Sequence, residues 1–302
     1  MKFAMIGLGK MGLNLVENAV DNGHEVVAFD LTPELVSKAS QYSDKVTGVT
    51  TMDEMLAELP SPKIVWVMVP AGVPTNSTID ALIEKMEAGD IIIDGGNSNY
   101  KDNLEQNKRT TEAGIKFFDA GTSGGMNGAR NGGNFMIGGD DAYAWKTLEP
   151  LFASISEEDG YLYTGRLGSG HYLKMVHNGI EYGMMQSIAE GFEILEASPF
   201  DYDYEKVSKL WNHGSVIRSW LMELAEEQFA KDPKLTAIAG RMHSSGEGKW
   251  TVEEALDLDV PAPVITMSLM MRYRSLQDDT FTGKVVSALR NGFGGHAMDS
   301  SH

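Results

Sequence analysis

The sequence contains no cysteine, few basic residues and no long apolar run. Without cysteine there is no disulfide and no thiolate chemistry, and a reducing cytoplasm is the natural compartment. No apolar stretch approaches the ~20 residues that a membrane helix needs. The first residues enter a strand and a turn at once, without the basic region, apolar core and cleavage site of a signal peptide. We therefore expect a cytoplasmic protein that does not cross a membrane.

The charge balance limits the kind of partner. The chain has 25 lysines and arginines against 43 aspartates and glutamates, which gives a formal net charge of −18. Nucleic-acid phosphates require a basic surface, so nucleic acid is not an expected partner. A small anionic ligand held by a few local arginines is compatible with an acidic protein.

At 302 residues the chain is long enough for two domains, and its pattern changes along its length. The first part alternates apolar β-rich runs with helical patterns, which predicts a doubly wound parallel sheet. The expected strands are residues 2–7, 25–30, 63–70, 90–94 and 115–121, and the expected helices are 13–20, 33–41, 75–86 and 103–112. Strand patterns end after Tyr163, and long helices are expected over roughly 169–197, 203–229, 251–258 and 263–279. The predicted fold is an α/β domain over residues 1–165 followed by an all-α domain over residues 166–302.

A glycine-rich motif follows the first predicted strand. In IGLGKMG, Gly7, Gly9 and Gly12 form a G-x-G-x-x-G that opens a helix, and Asp30 ends the second strand. Such glycines allow a tight turn and a close approach of the backbone to a pyrophosphate at the helix N-terminus. This context favours a Rossmann-like dinucleotide site over a turn that serves packing alone. The residues expected to contact the cofactor are Gly7, Leu8, Gly9, Lys10, Met11, Gly12, Asp30, Val69 and Asn97.

Asp30 also bears on which dinucleotide binds. A carboxylate at this position accepts hydrogen bonds from the ribose hydroxyls of NAD, but it repels the 2′-phosphate of NADP. Leu31 and Thr32 follow it and supply no cation. NAD is therefore the expected cofactor, and NADP is the alternative.

The stretch HYLKMVHNGIEYGMM places four polar side chains on one helical face, among apolar or small residues. They are Lys174, His177, Asn178 and Glu181, at i, i+3, i+4 and i+7. The pattern favours a buried helix whose polar strip lines a cavity, and the alternative is a solvated strip on a half-exposed helix.

Lys174 and Glu181 suit two steps of an oxidative decarboxylation. Oxidation of a secondary alcohol needs a base for the hydroxyl proton, and a lysine serves when its surroundings favour the neutral form. The resulting β-keto acid loses CO2 readily, and the enediol that remains needs an acid. The two residues are ~10 Å apart along a helix, so they can reach different ends of a six-carbon chain. No metal-ligand spacing occurs, and His171, His177 and His213 suit structural roles, so no metal is predicted.

Six stretches together resemble the 6-phosphogluconate dehydrogenases, the decarboxylating enzymes of the pentose phosphate pathway. They are IGLGKMG, IIIDGGNSNY, TSGG with GAR following, KMVHNGIEYG, GEGKWT and RNGFGGH, and they extend over nearly the whole chain. The broader β-hydroxyacid dehydrogenases share the lysine and asparagine of KMVHNGIEYG but lack its His–Asn–Glu–Tyr set. The resemblance implies conversion of 6-phospho-D-gluconate to D-ribulose 5-phosphate and CO2, with hydride transfer to NAD or NADP.

The resemblance also implies roles for individual residues. Lys174 is implied to be the general base and Glu181 the general acid. The implied contacts to the carboxylate and hydroxyls of the sugar acid are Asn97, Ser123, Gly124, Gly125, His177 and Asn178. The implied phosphate contacts are Tyr182, Arg272 and Arg290, and His296 is implied to reach the substrate of a neighbouring subunit. The helical domain is thus implied to bind substrate and to form a homo-oligomer, a dimer or a tetramer, with sites shared between subunits.

Two features depart from the family pattern. Ser245 stands where the family has a phosphate-binding lysine, so Arg272 and Arg290 must contribute more to phosphate binding. The chain also ends soon after RNGFGGH, as in a short form of the family that lacks a second helical repeat.

Two other functions stay open at this point. One is a β-hydroxyacid dehydrogenase acting on a smaller, unphosphorylated acid, although Arg272, Arg290 and His296 would then have no distal anion to hold. The other is a catalytically silent NAD-binding sensor, although the presence of both Lys174 and Glu181 argues against it.

Overall fold

The computed structural model describes residues 1–300. Within these residues the chain forms eight strands and thirteen helices. The strands are β1 (Lys2–Ile6), β2 (Glu25–Phe29), β3 (Val46–Val49), β4 (Ile64–Val67), β5 (Ile91–Asp94), β6 (Lys116–Ser123), β7 (Gly133–Gly139) and β8 (Ser156–Gly165). The helices that alternate with them are α1 (Lys10–Asp21), α2 (Pro33–Tyr42), α3 (Met52–Ala57), α4 (Val73–Ile83), α5 (Tyr100–Glu112), α6 (Gly125–Asn131) and α7 (Ala142–Ile155). The later helices are α8 (Ser169–Glu196), α9 (Tyr204–Asn212), α10 (Trp220–Lys231), α11 (Gly246–Asp257), α12 (Pro263–Ser275) and α13 (Phe281–Gly294).

The eight strands form one sheet in the order β3-β2-β1-β4-β5-β6-β7-β8. The first six strands pair in parallel, β6 and β7 pair antiparallel, and β8 returns parallel to β7. The strand order reverses between β1 and β4, and in open α/β sheets this switch point is where ligands bind, beyond the carboxyl ends of the strands.

Both faces of the sheet are buried. In β1, Phe3 and Met5 point into one apolar cluster, whereas Ala4 and Ile6 point into a second cluster on the opposite face. This alternation explains why the parallel strands are continuous apolar runs, since every position along them faces a layer of helices. Trp66 in β4 is completely buried and contacts the rings of Phe3, Phe135 and Phe152.

The chain divides into two compact units, which we name the sheet unit (Met1–Asn178) and the helical unit (from Gly179 onward). Helix α8 begins in the sheet unit and ends in the helical unit. The last strand ends at Gly165, where the sequence pattern places the domain boundary. A boundary of independent domains at that residue stays a prediction, because the first ten residues of α8 belong to the sheet unit.

The helical unit has small buried clusters. One contains Phe192, Tyr204, Met222 and Phe229 from α8, α9 and α10. The other contains Tyr182, Val252 and Leu269 from α8, α11 and α12. Among the described residues, α13 buries none of its side chains.

The predicted fold class, a doubly wound α/β domain followed by an all-α domain, is confirmed. Several elements escaped the sequence pattern, namely β3, β7, β8, α3, α6 and α7. Edge strand β8, SEEDGYLYTG, is mostly exposed or half-buried, so it lacks the apolar run by which the central strands were identified.

The helix predicted over 203–229 was wrong in its bounds. The single helix expected over 203–229 is interrupted between α9 and α10, where Gly214 adopts a φ of +80° and the Ser219 side chain caps α10 by accepting from the N–H of Met222. Helix α13 lies beyond the helices that the sequence pattern predicted; it continues to Gly294, and Thr280 accepts from the N–H of Gly283 at its start. In α10 and in α13, a side-chain cap fixes the residue at which the helix begins.

No helix within residues 1–300 is long and apolar enough to cross a bilayer.

Candidate active site

The glycine motif forms a cradle between β1 and α1. Gly7 adopts a φ of +96°, and a Cβ there would lie 2.6 Å from the carbonyl oxygen of Met68. A Cβ at Gly12 would lie 1.9 Å from the carbonyl oxygen of Gly7, so the turn closes only with glycine at both positions. In contrast, apart from Gly9 and its two chain neighbours, no atom of residues 1–300 lies within 4 Å of a Cβ built on Gly9. The open side of the turn at Gly9 is where a ligand can approach the backbone.

Helix α1 offers free donors toward this open side. Its N-cap is Gly9, so within the described chain no side chain caps its first turn. The first N–H groups of a helix need an external acceptor, and a pyrophosphate is a suitable one. The cradle and the uncapped helix therefore fit a dinucleotide, with Lys10, Met11 and Gly12 presenting the donors.

Asp30 lies at the end of β2, held by two backbone donors. Its Oδ2 accepts from the N–H of Leu8 at 2.7 Å, and its Oδ1 accepts from the N–H of Thr32 at 2.8 Å. The carboxylate is thus fixed at the edge of the cradle while each oxygen keeps acceptor capacity for a ribose hydroxyl. Leu31, the next residue, is 91% exposed and brings no cation.

A cleft of about 410 Å³ extends from this cradle. Of the residues predicted to contact the cofactor, all except Leu8 line it; the side chain of Leu8 is buried in the core. Lining residues absent from the prediction are Leu35, Met68, Pro70, Gly95, Gly96 and Thr122. Four of them follow β4 or β5 and Thr122 lies near the end of β6, so the rule that ligands lie beyond strand ends points to these positions.

Asn97 uses its side chain to join two strand ends. It adopts a φ of 50°, its Oδ1 accepts from the N–H of Thr122 at 3.1 Å, and its Nδ2 donates to the carbonyl oxygen of Thr122 at 3.4 Å. The amide therefore holds the loop after β5 against the end of β6. Its role as a substrate and cofactor contact stays a prediction.

The polar face of α8 forms a hydrogen-bonded chain within the sheet unit. Lys174 is 5% exposed, and its Nζ donates to Oδ1 of Asn178 at 2.7 Å. Nδ1 of His177 lies 3.1 Å from the same oxygen, and Nε2 of His177 lies 3.2 Å from Oγ of Ser123. Because Oδ1 of Asn178 can only accept, Nδ1 of neutral His177 carries the proton and Nε2 accepts from the serine hydroxyl.

Ser123 ends β6, and the two glycines after it turn the chain into α6. Gly124 has a φ of +97° and Gly125 a φ of +58°, both in the left-handed region that glycine adopts without strain. The structure therefore brings together Ser123, Gly124, Lys174, His177 and Asn178 at the ends of β6 and the start of α8.

The prediction that α8 is buried holds on part of its surface. The buried residues of α8 include His171, Lys174, Met175 and Tyr182. In the polar strip Lys174 is buried, and the other three side chains are half-buried. On another side Leu173, Ile180 and Met184 are exposed. An apolar strip of this kind has no cover within residues 1–300.

The helical unit holds the remaining predicted residues. Tyr182 is buried, its hydroxyl accepts from the N–H of Ser245 at 2.9 Å, and Oγ of Ser245 lies 3.0 Å from the same hydroxyl. The Arg272 guanidinium stacks over the Tyr182 ring at 3.6 Å from its centroid and donates to the carbonyl oxygen of His243 at 2.7 Å. Glu181 is half-buried, seven residues beyond Lys174 on the same helix.

Arg290 and His296 belong to the C-terminal segment of the helical unit. Arg290 is exposed on α13, and His296 is exposed just beyond it. In the part of the chain that the structure describes, neither forms a hydrogen bond to Tyr182 or Arg272.

Two buried residues next to the lysine were not identified as functional. Asp119 on β6 and His171 on α8 are 0% and 1% exposed. Burial raises the pKa of the Asp119 carboxyl group, whereas His171 and the backbone donors of His171 and Gly168 oppose that rise. Among residues 1–300 no group of three or more His, Asp or Glu side chains could hold a metal ion.

The fold, the glycine cradle and the lysine-bearing helix define a dinucleotide-binding oxidoreductase. Family models identify residues 2–167 as the NAD binding domain of 6-phosphogluconate dehydrogenase and residues 170–283 as the C-terminal domain of 6-phosphogluconate dehydrogenase. The chain belongs to the 6-phosphogluconate dehydrogenase family, as its motifs predicted.

Relatives of two lengths match the chain. YqeC of Bacillus subtilis is 57% identical and covers 99% of both chains, and the NAD(+)-dependent decarboxylating 6-phosphogluconate dehydrogenase of Haloferax volcanii is 41% identical over 99% of this chain and 98% of its own. The decarboxylating 6-phosphogluconate dehydrogenase of Lactococcus lactis strain IL1403 is 36% identical over 92% of this chain but only 62% of its own. The first two relatives match over nearly their whole length, whereas the third extends beyond the matched part.

Solved structures agree with this assignment. The 6-phosphogluconate dehydrogenase of Plasmodium falciparum superposes with a TM-score of 0.84 at 30% identity, over 100% of this chain and 67% of that chain. The 3-hydroxyisobutyrate dehydrogenase of Mycobacterium tuberculosis superposes with a TM-score of 0.70 at 21% identity, over 96% of this chain and 99% of that chain. The second match shows a shared fold alone.

Proposed function

We propose that the protein converts 6-phospho-D-gluconate to D-ribulose 5-phosphate and CO2 while reducing NAD, as a cytoplasmic enzyme of the pentose phosphate pathway. The observation that carries this proposal is the chain from Lys174 through Asn178 and His177 to Ser123. It places a buried amine beside a hydroxyl, an imidazole and an amide, which together suit a hydroxylated acid. The Haloferax volcanii relative, with the same length, carries this activity in its name.

The residues of the chain would act in two proton transfers. Neutral Lys174 would take the proton from the substrate hydroxyl that is oxidised, and a bound nicotinamide would supply the hydride acceptor. After CO2 leaves, Glu181 would donate a proton to the enediol carbon. Ser123, His177 and Asn178 would hold the carboxylate and hydroxyls, so that the reacting carbon stays in place during both transfers.

Phosphate binding would rely on arginine. Arg272 is fixed by stacking on Tyr182, which leaves part of its planar set of donors for a phosphate oxygen pair. Ser245 cannot replace the charge of the family's lysine, because its hydroxyl is uncharged and bonded to Tyr182. Arg290 and His296 would come from a second subunit.

The preference for NAD follows from Asp30. Its carboxylate is held rigidly by two backbone donors, and the neighbouring residues bring no cation to neutralise a 2′-phosphate. NADP would therefore bind more weakly.

Exposed apolar surface supports the proposal of a homo-oligomer with shared sites. Helix α13 exposes Phe281, Val285, Leu289 and Phe293 at helical spacing, and α8 exposes its own apolar strip. Surfaces of this kind mark protein contacts, and a second copy of the chain provides the matching surface. A dimer and a tetramer both satisfy this requirement.

Ser245 is also compatible with a second function, that of a β-hydroxyacid dehydrogenase. A β-hydroxyacid dehydrogenase acting on a smaller, unphosphorylated acid needs no phosphate site, and an uncharged residue at position 245 is compatible with that function. The test is NAD reduction at 340 nm with 6-phosphogluconate, gluconate and 3-hydroxyisobutyrate, combined with measurement of CO2. The proposal expects NADH and CO2 in equal amounts from 6-phosphogluconate. Turnover of 3-hydroxyisobutyrate alone would favour the second function, and binding of NAD without any turnover would favour a silent sensor.

A further inference from the structure

The N-terminus of α8 is capped by a side chain from the sheet. Backbone N–H groups in the first turn of a helix lack partners within the helix and need an acceptor from elsewhere. Asp119 supplies it: Oδ1 accepts from the N–H of Gly168 at 2.6 Å, and Oδ2 accepts from the N–H of His171 at 2.6 Å. A single buried carboxylate on β6 therefore fixes where the lysine-bearing helix begins.

Glycines let α8 lie directly against the sheet. A Cβ at Gly121 would come within 2.4 Å of the Cβ of Lys174, and a Cβ at Gly170 would come within 2.8 Å of the carbonyl oxygen of Asp119. A Cβ at Gly138 would lie 2.4 Å from Oδ1 of Asp119. Because α8 contacts the sheet this closely, the helix cannot shift without a clash. The position of Lys174 therefore depends on where the first turn of α8 is fixed.

His171 ties the same turn to the cofactor side of the sheet. Its Nδ1 lies 2.6 Å from Oδ1 of Asn103, whose Nδ2 donates to Oδ2 of Asp94 at 2.8 Å and to Gln106 at 3.3 Å. These two donations orient the amide, so Nδ1 of His171 must be the donor to Oδ1 of Asn103. Oδ1 of Asp94 accepts from the N–H of Gly96, which lines the dinucleotide cleft.

The charge on Asp119 follows from its partners. Burial raises the pKa of its carboxyl group, and Asp94 on the adjacent strand acts in the same direction, whereas His171 and the two N–H donors oppose both. Each oxygen already accepts an N–H hydrogen bond, which the ionised form satisfies without needing an acceptor for a proton of its own. The positive end of α8 favours the same form.

We propose that Asp119 is a positioning residue for Lys174, which fixes the first turn of α8 and sets a negative charge near the lysine amine. Lys174 stands five residues beyond the start of α8, or ~7.5 Å along the helix axis. The inference rests on the proposed role of Lys174 as the base. Asp94 and His171 are the other titratable groups that face Asp119, and His177 shares Oδ1 of Asn178 with Lys174.

The test is Asp119→Asn, which keeps the size of the side chain, removes its charge and turns one oxygen into a donor. We expect kcat to fall about tenfold or more, because small misplacements of a catalytic group cost up to ~10²-fold. KM for 6-phosphogluconate should change less than about threefold, because its contacts are retained. The pH at which kcat rises should move down by ~0.5 unit or more, since loss of a nearby negative charge favours the neutral lysine.

Asp141→Asn is the matched control. Asp141 caps α7 through Oδ1, which accepts from the N–H groups of Tyr143 and Ala144; its Oδ2 pairs with Lys116, and the residue is not part of the site. This variant should lose thermal stability, but it should keep the wild-type kcat and the wild-type pH profile. A cap with a merely structural role predicts that Asp119→Asn behaves in the same way.

Amide hydrogen exchange over residues 168–172 supplies a readout that does not need turnover. It should accelerate in Asp119→Asn and stay unchanged in Asp141→Asn. If Asp119→Asn does not fold, Asp119→Ser keeps an acceptor oxygen, removes the charge and carries the same expectations.

A kcat within about twofold of wild type, or a lowered kcat with an unmoved pH profile, would overturn the positioning role. Unchanged amide exchange would overturn it as well. If the wild-type protein oxidises no sugar acid, the proposed function fails, and the exchange experiment still decides whether Asp119 fixes α8.

Discussion

The sheet unit and the helical unit differ in how completely each buries its apolar side chains. In the sheet unit two large clusters cover both faces of the sheet, and residues such as Trp66 and Phe118 have no exposed surface. In the helical unit the buried clusters are small, whereas Ile180, Val216 and Val264 are more than half exposed. A groove of about 450 Å³ in the helical unit is lined largely by such residues.

The two units also differ in how much of the proposed active site each forms from the residues of one chain. The sheet unit forms the dinucleotide cleft and the hydrogen-bonded chain at Lys174 from its own residues. The helical unit holds Tyr182 and Arg272 in place, but its tail residue Arg290 stays exposed. The proposed oligomer would cover the apolar surface and complete the phosphate end in the same step.

Lys174→Met gives the largest expected effect, because it removes the proposed base while keeping an unbranched side chain of similar length. Loss of a general base costs ~10²–10⁴-fold in rate. Dinucleotide binding, measured by fluorescence titration with NADH, should be unchanged because the cleft residues are untouched. Near-normal turnover of this variant would show that the base lies elsewhere and that the sheet unit does not supply the chemistry.

Trp66→Ala and Phe229→Ala compare the two cores directly. Trp66 has aromatic contacts on several sides, so its loss should cost ~3–5 kcal/mol of the free energy of unfolding. Phe229 belongs to a cluster of four buried residues that can collapse around the cavity, so its loss should cost less. Denaturant unfolding of both variants measures the difference. An equal or larger cost for Phe229→Ala would mean that the helical unit is the better packed region.

Asp30→Ser combined with Leu31→Arg should shift preference toward NADP. Removing the repulsion and adding a charged hydrogen bond is worth ~1.5–3 kcal/mol, or ~10–100-fold in the ratio of kcat/KM for the two cofactors. Steady-state kinetics with both cofactors provides the measurement. Lys10 is unchanged in this variant and should contribute equally to the binding of NAD and of NADP. A wild-type protein that already prefers NADP would contradict the role given to Asp30.

The smallest effect concerns His24, which is buried in the sheet unit with Nε2 2.8 Å from Oγ of Ser154. Burial lowers the pKa of His24 below its ordinary value. Below pH ~6.5 the unfolded chain therefore binds a proton that the folded chain does not, and the free energy of unfolding falls as the pH falls. His24→Gln should flatten this dependence, measured by denaturant unfolding between pH 7.5 and pH 5, whereas an unaltered slope would assign it to other groups.

The sequence predicted those parts of the site whose constraints are local. Gly7, Gly9 and Gly12 were identified because one turn determines all three, and the spacing from Lys174 to Glu181 was read from a single helix. Asp119 was not identified, because its partners lie 49 and 52 residues further along the chain and depend on how α8 packs against β6. It is also embedded in the apolar run FFDAG, where nothing nearby indicates a cap. The break at Gly214 was missed for the opposite reason, since one residue with positive φ outweighed a helical pattern on both sides.

Subunit complementation tests most directly whether each active site takes Lys174 from one chain and Arg290 from a second copy of the chain. An inactive Lys174→Met variant is mixed with an inactive Arg290→Ala variant under conditions that allow subunit exchange, and NADH formation from 6-phosphogluconate is followed. Hybrids would contain sites with an intact lysine from one chain and an intact arginine from its partner, so activity should return. Proven exchange without any recovered activity would contradict the account and would mean that the tail of each chain serves its own site.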